Sequence, residues 1–195
     1  LYDSGVRTPL IARWPGTVRA GTTCESLISV IDIAPTIVEL AGVESSSTFQ
    51  GRSFAPLLAD SNASIREYVY AEHNWHDYQA HERSVRSKDY LYIRNAFPEL
   101  ACTPPADAVR SPTFQAMRRL RDEEELAPQQ LGCFVTPRTV EELYDVENDR
   151  YQLMNVAADP KYAKILSQMR QAHETWRRQT DDAVPEHPTP DRFDR

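Results

Sequence analysis

The sequence predicts an α/β protein built from two unlike parts and a tail. Residues 1–58 contain short apolar segments and a helix with one apolar face, which is typical of the end of an α/β core. Residues 59–182 contain strand-like segments separated by turns, which predicts a small antiparallel sheet of about four strands packed by a C-terminal helix. Residues 183–195 combine prolines with charges and predict an extended tail.

In the first part, Pro9 to Trp14 and Leu27 to Ile31 carry β-branched and large apolar residues, which predicts two strands. Asp32 is expected to cap the next helix by accepting hydrogen bonds from its first turn, and Gly42 to end it. A buried strand needs neighbours on both sides, and the residues that follow supply too few of them. We therefore expect the chain to be the back part of a larger protein.

The second part begins after a polar, serine-rich loop at Glu44 to Gln50 and a short apolar turn. We expect strands at Tyr68 to Ala71, Arg83 to Arg86, Tyr90 to Arg94 and Glu142 to Asp145, with a tight turn at Ser87-Lys88-Asp89. Apolar residues at helical spacing predict a surface helix within Ser111 to Leu126 and a longer helix that begins at Asp159-Pro160. The apolar side of the longer helix must cover the sheet.

Composition excludes several classes of function. The formal net charge of −7 argues against a nucleic-acid partner, and no apolar run approaches the length that spans a bilayer, so no membrane partner is expected. Three cysteines are too few for a disulfide framework and lack the spacing of a zinc site. A bridge between Cys102 and Cys133 stays open for an oxidising compartment.

Four blocks, taken in order, resemble the C-terminal third of sulfatases of the alkaline-phosphatase superfamily. They are TPLIARWPG from Thr8, SVIDIAPTIVELAG from Ser29, GRSFAPLL from Gly51 and ELYDVENDRYQLMNVAADP from Glu142. RSPTFQ at Arg110 to Gln115 and the terminal helix through Trp176 are most similar to N-sulfoglucosamine sulfohydrolase, the heparan N-sulfatase or sulfamidase, and its bacterial relatives. The resemblance implies the C-terminal part of an alkaline-phosphatase-like core.

The resemblance also implies a reaction, a nucleophile and a metal ion. Such enzymes hydrolyse sulfate esters or sulfamates with a formylglycine, made from Cys or Ser in a C/S-x-P-x-R motif, beside a bound calcium ion. No cysteine here is followed by Pro and Arg at those positions. We therefore expect the nucleophile and the calcium ligands upstream of Leu1, and the chain alone to be inactive. Family membership also implies an extracytoplasmic compartment: periplasmic, secreted or lysosomal.

The best candidate for a site is the segment from Glu72 to Arg83, which holds three of the five histidines. It follows a predicted strand, so we expect a loop at the sheet's end that faces a cleft. The resemblance makes His73 the leading ligand of a sulfated sugar or glycosaminoglycan. Glu72, Asn74, His76 and Arg83 are further candidates by their hydrogen-bonding groups, and Trp75 or Tyr78 could stack on a sugar ring or only anchor the loop.

Other interpretations remain open. His73, His76 and Asp77 could bind zinc or copper. The ion that the resemblance implies is calcium, which prefers oxygen ligands to histidine nitrogen. Arg7 is expected to pair with a buried carboxylate rather than to reach sulfate. The full protein could instead be an arylsulfatase, another glycosaminoglycan sulfatase or a phosphodiesterase, and a noncatalytic carbohydrate-binding module is the rival from another class. The expected partners are the sugar and the rest of the sulfatase core, and the oligomeric state stays open.

Overall fold

The computed structural model of the chain describes residues 1–44 and 46–194. Its centre is an antiparallel sheet with strand order β1-β2-β3-β4. The strands are β1 (Val69–His73), β2 (Glu82–Arg86), β3 (Tyr90–Asn95) and β4 (Glu141–Asp145). All four lie where the sequence predicts them, and the predicted turn between β2 and β3 is closed by a 2.9 Å hydrogen bond from the Ser87 amide to the Tyr90 carbonyl oxygen.

In the described residues, six α-helices accompany this sheet. They are α1 (Asp3–Val6), α2 (Ile33–Leu40), α3 (Ala55–Ala59), α4 (Ala106–Val109), α5 (Pro112–Asp122) and α6 (Ala163–Thr180). Short 3-10 turns cover Val30–Asp32, Pro128–Cys133 and Pro160–Tyr162. The predicted surface helix is α5, capped by a hydrogen bond from the Phe114 amide to the Ser111 hydroxyl. Among the described helices, none combines the length and apolar composition that a bilayer crossing requires.

Helix α6 covers one face of the sheet, as its apolar side predicts. Val85 and Leu143 are fully buried there, with the almost completely buried Tyr92 between them on β3. The helix contributes Leu166, Met169 and Ala172 to the same cluster. Because side chains alternate along a strand, only every second residue of each strand meets α6. We call this surface the α6 face.

The opposite face of the sheet contacts the start of the chain. Leu91, Ile93 and Tyr144 form a second buried cluster against which Leu1 and Tyr2 pack. The Tyr2 hydroxyl donates to Glu142 Oε2 at 2.8 Å. Burial and the nearby Glu142 raise the pKa of Tyr2 above its ordinary range, so Tyr2 stays a neutral donor. We call this surface the N-terminal face.

The two predicted strands of the first part are wrong. Pro9 to Trp14 has no regular structure, and Leu27 to Ile31 is irregular until the 3-10 turn begins at Val30. Ile11 is 92% exposed. A strand forms only where neighbouring backbone groups can pair with it, and the described residues offer these segments no strand to pair with.

The predicted capping role of Asp32 is also wrong, because the side chain points elsewhere. Its buried carboxylate accepts 2.7 Å hydrogen bonds from the amides of Ser29 and Arg52 and pairs with the guanidinium of Arg66. Asp32 therefore ties α2 to two later segments. The Arg52 segment approaches so closely that a Cβ on Gly51 would lie 2.0 Å from the Ile31 carbonyl oxygen, which only glycine avoids.

The end of α2 and the loop after it agree with the predictions, whereas the tail does not. Gly42 follows the end of α2 with φ of 70°, as expected. The loop from Glu44 to Gln50 contains no helix or strand in its described residues, and Ser45 lies outside them. Residues 183–194 also lack regular structure, but they pack back onto the loop after β1 rather than extending freely.

The three cysteines are free thiols, so the described residues contain no bridge between Cys102 and Cys133. Burial raises the pKa of both thiols. A raised pKa keeps a cysteine protonated and a poor nucleophile. Neither residue has the properties of a reactive cysteine.

Candidate functional site

The predicted site residues divide between a strand and a loop. Strand β1 continues two residues beyond its predicted end at Ala71, so Glu72 and His73 lie on it, while Asn74 and His76 follow in the loop. In the sheet register His73 is opposite Glu82, and Glu72 is opposite Arg83. Directly opposed residues share a face and successive residues do not. His73 therefore lies on the N-terminal face, and Glu72 lies with Arg83 on the α6 face.

His73 stands on the N-terminal face with its ring 42% exposed. Its Nδ1 is 3.4 Å from Oε2 of Glu82, a long hydrogen bond from a carboxylate that is itself buried. Glu82 also pairs with the guanidinium of Arg138. The carboxylate behind the ring fixes the direction of the imidazole and leaves its Nε2 edge for other groups.

Glu82 remains ionised despite its burial. Burial alone would raise the pKa of this carboxyl, but the hydrogen bond to His73 and the charge of Arg138 lower it to about 2. Arg138 comes from the segment before β4. No pattern in the sequence predicts that this segment reaches Glu82. Sequence reasoning missed both residues of this pair.

Arg83 is buried on the α6 face and makes internal contacts. Its guanidinium binds Asp182 through two hydrogen bonds of 3.0 and 2.6 Å, and donates to Oδ1 of Asn74 at 3.0 Å. The carboxylate of Glu72 is 3.7 Å away and exposed. Arg83 neutralises Asp182 and holds Asn74, so its charge is already compensated inside the protein. Asp182, which follows α6, was not predicted either.

The loop beyond Asn74 presents exposed and buried residues. His76 is exposed, with Nδ1 4.0 Å from Oδ2 of Asp77. Trp75 is 39% exposed, whereas Tyr78 is only 4% exposed. Of the two aromatic residues predicted as a wall for a sugar ring, only Trp75 offers a ring surface to a ligand.

The described residues contain no cluster of three or more His, Cys, Asp or Glu that could hold a metal ion. The histidine-metal interpretation of His73, His76 and Asp77 is therefore not supported by their placement. The calcium ion implied by the resemblance does not fit these residues either, because they do not form a cluster of oxygen ligands. Arg7 is exposed and makes no ion pair within the described chain, contrary to the expected pairing.

The comparison with known proteins identifies the family. A sequence model described as N-sulphoglucosamine sulphohydrolase, C-terminal, matches residues 1–99, just over half of the 195 residues. The chain belongs to this family. The match includes β1, β2 and β3 together with the loop after β1, so the candidate segment from Glu72 to Arg83 lies within it, whereas Arg138 and Asp182 lie outside it.

Individual relatives agree with this assignment. The chain is 35% identical to an ulvan-active sulfatase of Formosa agariphila over 90% of its own length and 29% of that protein. It is 26% identical to human N-sulphoglucosamine sulphohydrolase over 93% of its own length and 38% of that protein. The chain thus spans only about a third of the length of such curated relatives.

A solved structure supports the fold. A protein in complex with its substrate D-glucosamine-2-N,6-O-disulfate matches with a TM-score of 0.63 and 21% identity, covering 89% of this chain and 28% of that one. The predicted fold class is confirmed. The chain has the architecture of the C-terminal portion of alkaline-phosphatase-like sulfatases.

Proposed function

We propose that this chain is the substrate-shaping C-terminal part of a sulfatase that hydrolyses the sulfamate of N-sulfoglucosamine in heparan-type glycans. The observation that carries the proposal is the family match across residues 1–99, which includes the candidate site. The human relative named N-sulphoglucosamine sulphohydrolase supports the same substrate.

Within this proposal His73 is the principal substrate ligand. Its ring is partly exposed, and the buried Glu82 accepts from Nδ1. Nε2 is then left to accept from a sugar hydroxyl when the ring is neutral, or to donate to a sulfate oxygen when the ring is protonated. His76, exposed in the loop three residues further on, serves as a secondary ligand. Glu72 is exposed but lies on the α6 face, so it is not assigned a contact with the sugar that His73 binds. Asn74 and Arg83 are bonded to each other, and they contribute by shaping the loop.

The reactive groups are proposed to come from outside this chain. Three observations support this: the absence of a C/S-x-P-x-R motif, the short span relative to the relatives, and the lack of a metal cluster in the described residues. A formylglycine nucleophile and a calcium ion would then be supplied by the rest of a sulfatase core. The chain by itself is expected to release no sulfate.

A second candidate substrate is an ulvan-type sulfated polysaccharide. The specific observation is the 35% identity to an ulvan-active sulfatase, against 26% to the human enzyme. Both candidates are sulfated sugars, so the same exposed polar groups would serve either. They differ in whether the bond that breaks is N–S or O–S.

Sulfate release from defined substrates tests the proposal. The full-length protein that contains this chain is incubated with N-sulfated glucosamine, 6-O-sulfated N-acetylglucosamine and ulvan oligosaccharides, with calcium and after chelation. We expect release from the N-sulfated sugar and loss after chelation. Preference for ulvan would select the second candidate, and desulfation by the 195-residue chain alone would contradict the proposal.

Replacement of His73 tests its role. His73→Ala in the full-length protein should lower kcat/KM about tenfold to a hundredfold, because a hydrogen bond to a charged group contributes roughly 1.5–3 kcal/mol. His187→Ala, in the exposed tail, is the matched control and should change nothing. Unchanged kinetics in a correctly folded His73→Ala protein would remove His73 from the site.

A further inference from the structure

The C-terminal segment, residues 183–194, lies over the candidate substrate loop, residues 74–80, and is joined to it by three short hydrogen bonds and a longer one, from the Tyr78 hydroxyl to the Asp194 carbonyl oxygen at 3.4 Å. The Trp75 indole N–H donates to the Pro190 carbonyl oxygen at 2.8 Å, and the Gln79 amide donates to Oδ1 of Asp191 at 2.6 Å. The Arg192 amide donates to the Asp77 carbonyl oxygen at 2.7 Å. Each bond joins residues more than a hundred positions apart, so the segment and the loop hold each other.

The same segment is also fixed where it leaves α6. Asp182 binds Arg83 through two hydrogen bonds, and Arg83 in turn holds Oδ1 of Asn74. Nε2 of His81 lies 3.1 Å from the Ala183 carbonyl oxygen. The loop is therefore attached to the C-terminal segment at its beginning, its middle and its end.

The backbone at Asp77 indicates that these contacts shape the loop. Asp77 has φ of 62°, in the left-handed region, which aspartate adopts more readily than most residues other than glycine. Its carbonyl oxygen accepts from Arg192, and Oδ2 accepts from the Ala106 amide at 3.1 Å. Such a conformation persists where surrounding contacts hold it. The Arg192 contact is one of those that do so here.

The bond to Pro190 also decides what Trp75 can offer a ligand. The indole N–H is the only donor of the side chain, and Pro190 occupies it. The 39% of Trp75 that remains exposed can therefore present only ring carbon to a ligand. His73 precedes Trp75 by two residues and His76 follows it directly, and both imidazole rings are partly exposed.

We infer that residues 190–192 hold the loop so that Trp75 forms a fixed aromatic platform for the apolar face of a sugar ring next to the sulfated group. The C–H groups of a pyranose pack on an aromatic face while its hydroxyls remain free for polar neighbours. Trp75 is then a substrate-binding residue, and Asp191 and Arg192 are positioning residues. This inference rests on the proposed function, since it names a further contact with the same sugar.

Hydrogen exchange tests, without any substrate, whether the C-terminal segment clamps the loop. In the full-length protein, Asp191→Ala and a truncation after Asp182 should increase exchange of the amides in residues 74–80 about fivefold or more, because a net hydrogen bond contributes roughly 1 kcal/mol. Glu186→Ala, at an exposed position of the same segment, is the control and should leave exchange unchanged. Unaltered exchange in the truncated protein would overturn the clamp.

Kinetics test the platform. Trp75→Ala should raise KM for an N-sulfated disaccharide about tenfold while the inhibition constant of inorganic sulfate stays within about twofold, because sulfate has no ring to stack. Trp75→Phe keeps a ring but loses the bond to Pro190, and should fall between wild type and Trp75→Ala. Thermal unfolding of each variant shows whether it is folded.

The outcomes separate this inference from the proposed function. If the wild type releases sulfate and folded Trp75→Ala keeps the same KM, the platform is wrong and the function stands. If the wild type acts on no sulfated sugar, the proposed function and the platform fall together. The exchange experiment still decides whether the C-terminal segment holds the loop.

Discussion

At Glu82, a buried carboxylate meets His73 on a neighbouring strand and Arg138 from a distant segment. A buried charge destabilises a protein unless it is paired, and removing one partner leaves the other charge uncompensated. The buried carboxylate of Glu82 therefore has two effects. It fixes the imidazole of the leading substrate ligand, and it makes the stability of the chain depend on the ionisation of Glu82.

The first prediction concerns acid stability. The pKa of Glu82 is about 2 in the folded chain against an ordinary value of 4.5, so the folded state prefers the ionised form. This preference contributes about 3 kcal/mol at neutral pH, and it is lost as the pH falls below about 4.5 toward 2. Glu82→Gln should lower the free energy of unfolding by roughly 3 kcal/mol at pH 7. The difference between the two proteins should narrow by about 2 kcal/mol at pH 3.

Urea unfolding at pH 7, 4.5 and 3 measures both effects. Glu147→Gln is the matched control, because Glu147 is an exposed glutamate. It should follow the wild type at every pH. A difference between wild type and Glu82→Gln that stays constant from pH 7 to pH 3 would show that Glu82 does not titrate as described.

The sequence indicated the segment of the candidate site but not its internal arrangement. Hydrogen-bonding residues concentrated after an apolar run predicted a loop from Glu72 onward, but Glu72 and His73 belong to β1 and the loop begins at Asn74. Whether Glu72 or His73 faces α6 depends on the strand register, which is set by the partner strand. Arg138 and Asp182 reach the site only through the tertiary fold, and no local pattern marks them.

The four strands and α6 were predictable because each carries its own signal. Alternating side chains and the Ser87-Lys88-Asp89 turn mark the strands, and apolar residues three and four apart mark the helix. Pro9 to Trp14 carries a strand-like composition too, yet it stays irregular in this chain. Composition reports what a segment can do, whereas a strand also needs a neighbour to pair with.

The packing of α6 gives the second prediction. Met169 is 2% exposed and lies in the cluster with Val85 and Leu143. Met169→Ala should lower the free energy of unfolding by about 2–4 kcal/mol, because it removes buried methylene groups and leaves a cavity. Gln168→Ala truncates an exposed neighbour of similar length and should change stability by less than about 0.5 kcal/mol. Equal losses in the two variants would mean that α6 does not cover the sheet.

The apolar surface of the chain is distributed unequally. The four strands and α6 carry no exposed large apolar side chain, whereas many such side chains in the first 43 residues remain uncovered. The exposed large apolar residues of that part include Leu10, Ile11, Trp14, Val30, Ile31, Ile37, Leu40 and Val43. A concentration of exposed large apolar side chains in one part of a chain is typical of an interface. Within the proposed function, this surface is where the rest of a sulfatase core packs.

The last prediction tests that surface at Ile37, which is 62% exposed on α2. In the 195-residue chain, Ile37→Lys should reduce binding of the dye ANS and self-association without lowering the unfolding temperature, because it replaces exposed apolar area with charge. In the full-length protein the same change should cost about 2 kcal/mol or more, because an ammonium group would then be buried without a partner. Ser167→Lys, on the exposed side of α6, adds the same charge and should be neutral in both contexts. An Ile37→Lys variant that is equally stable in both would show that this face stays exposed in the complete protein.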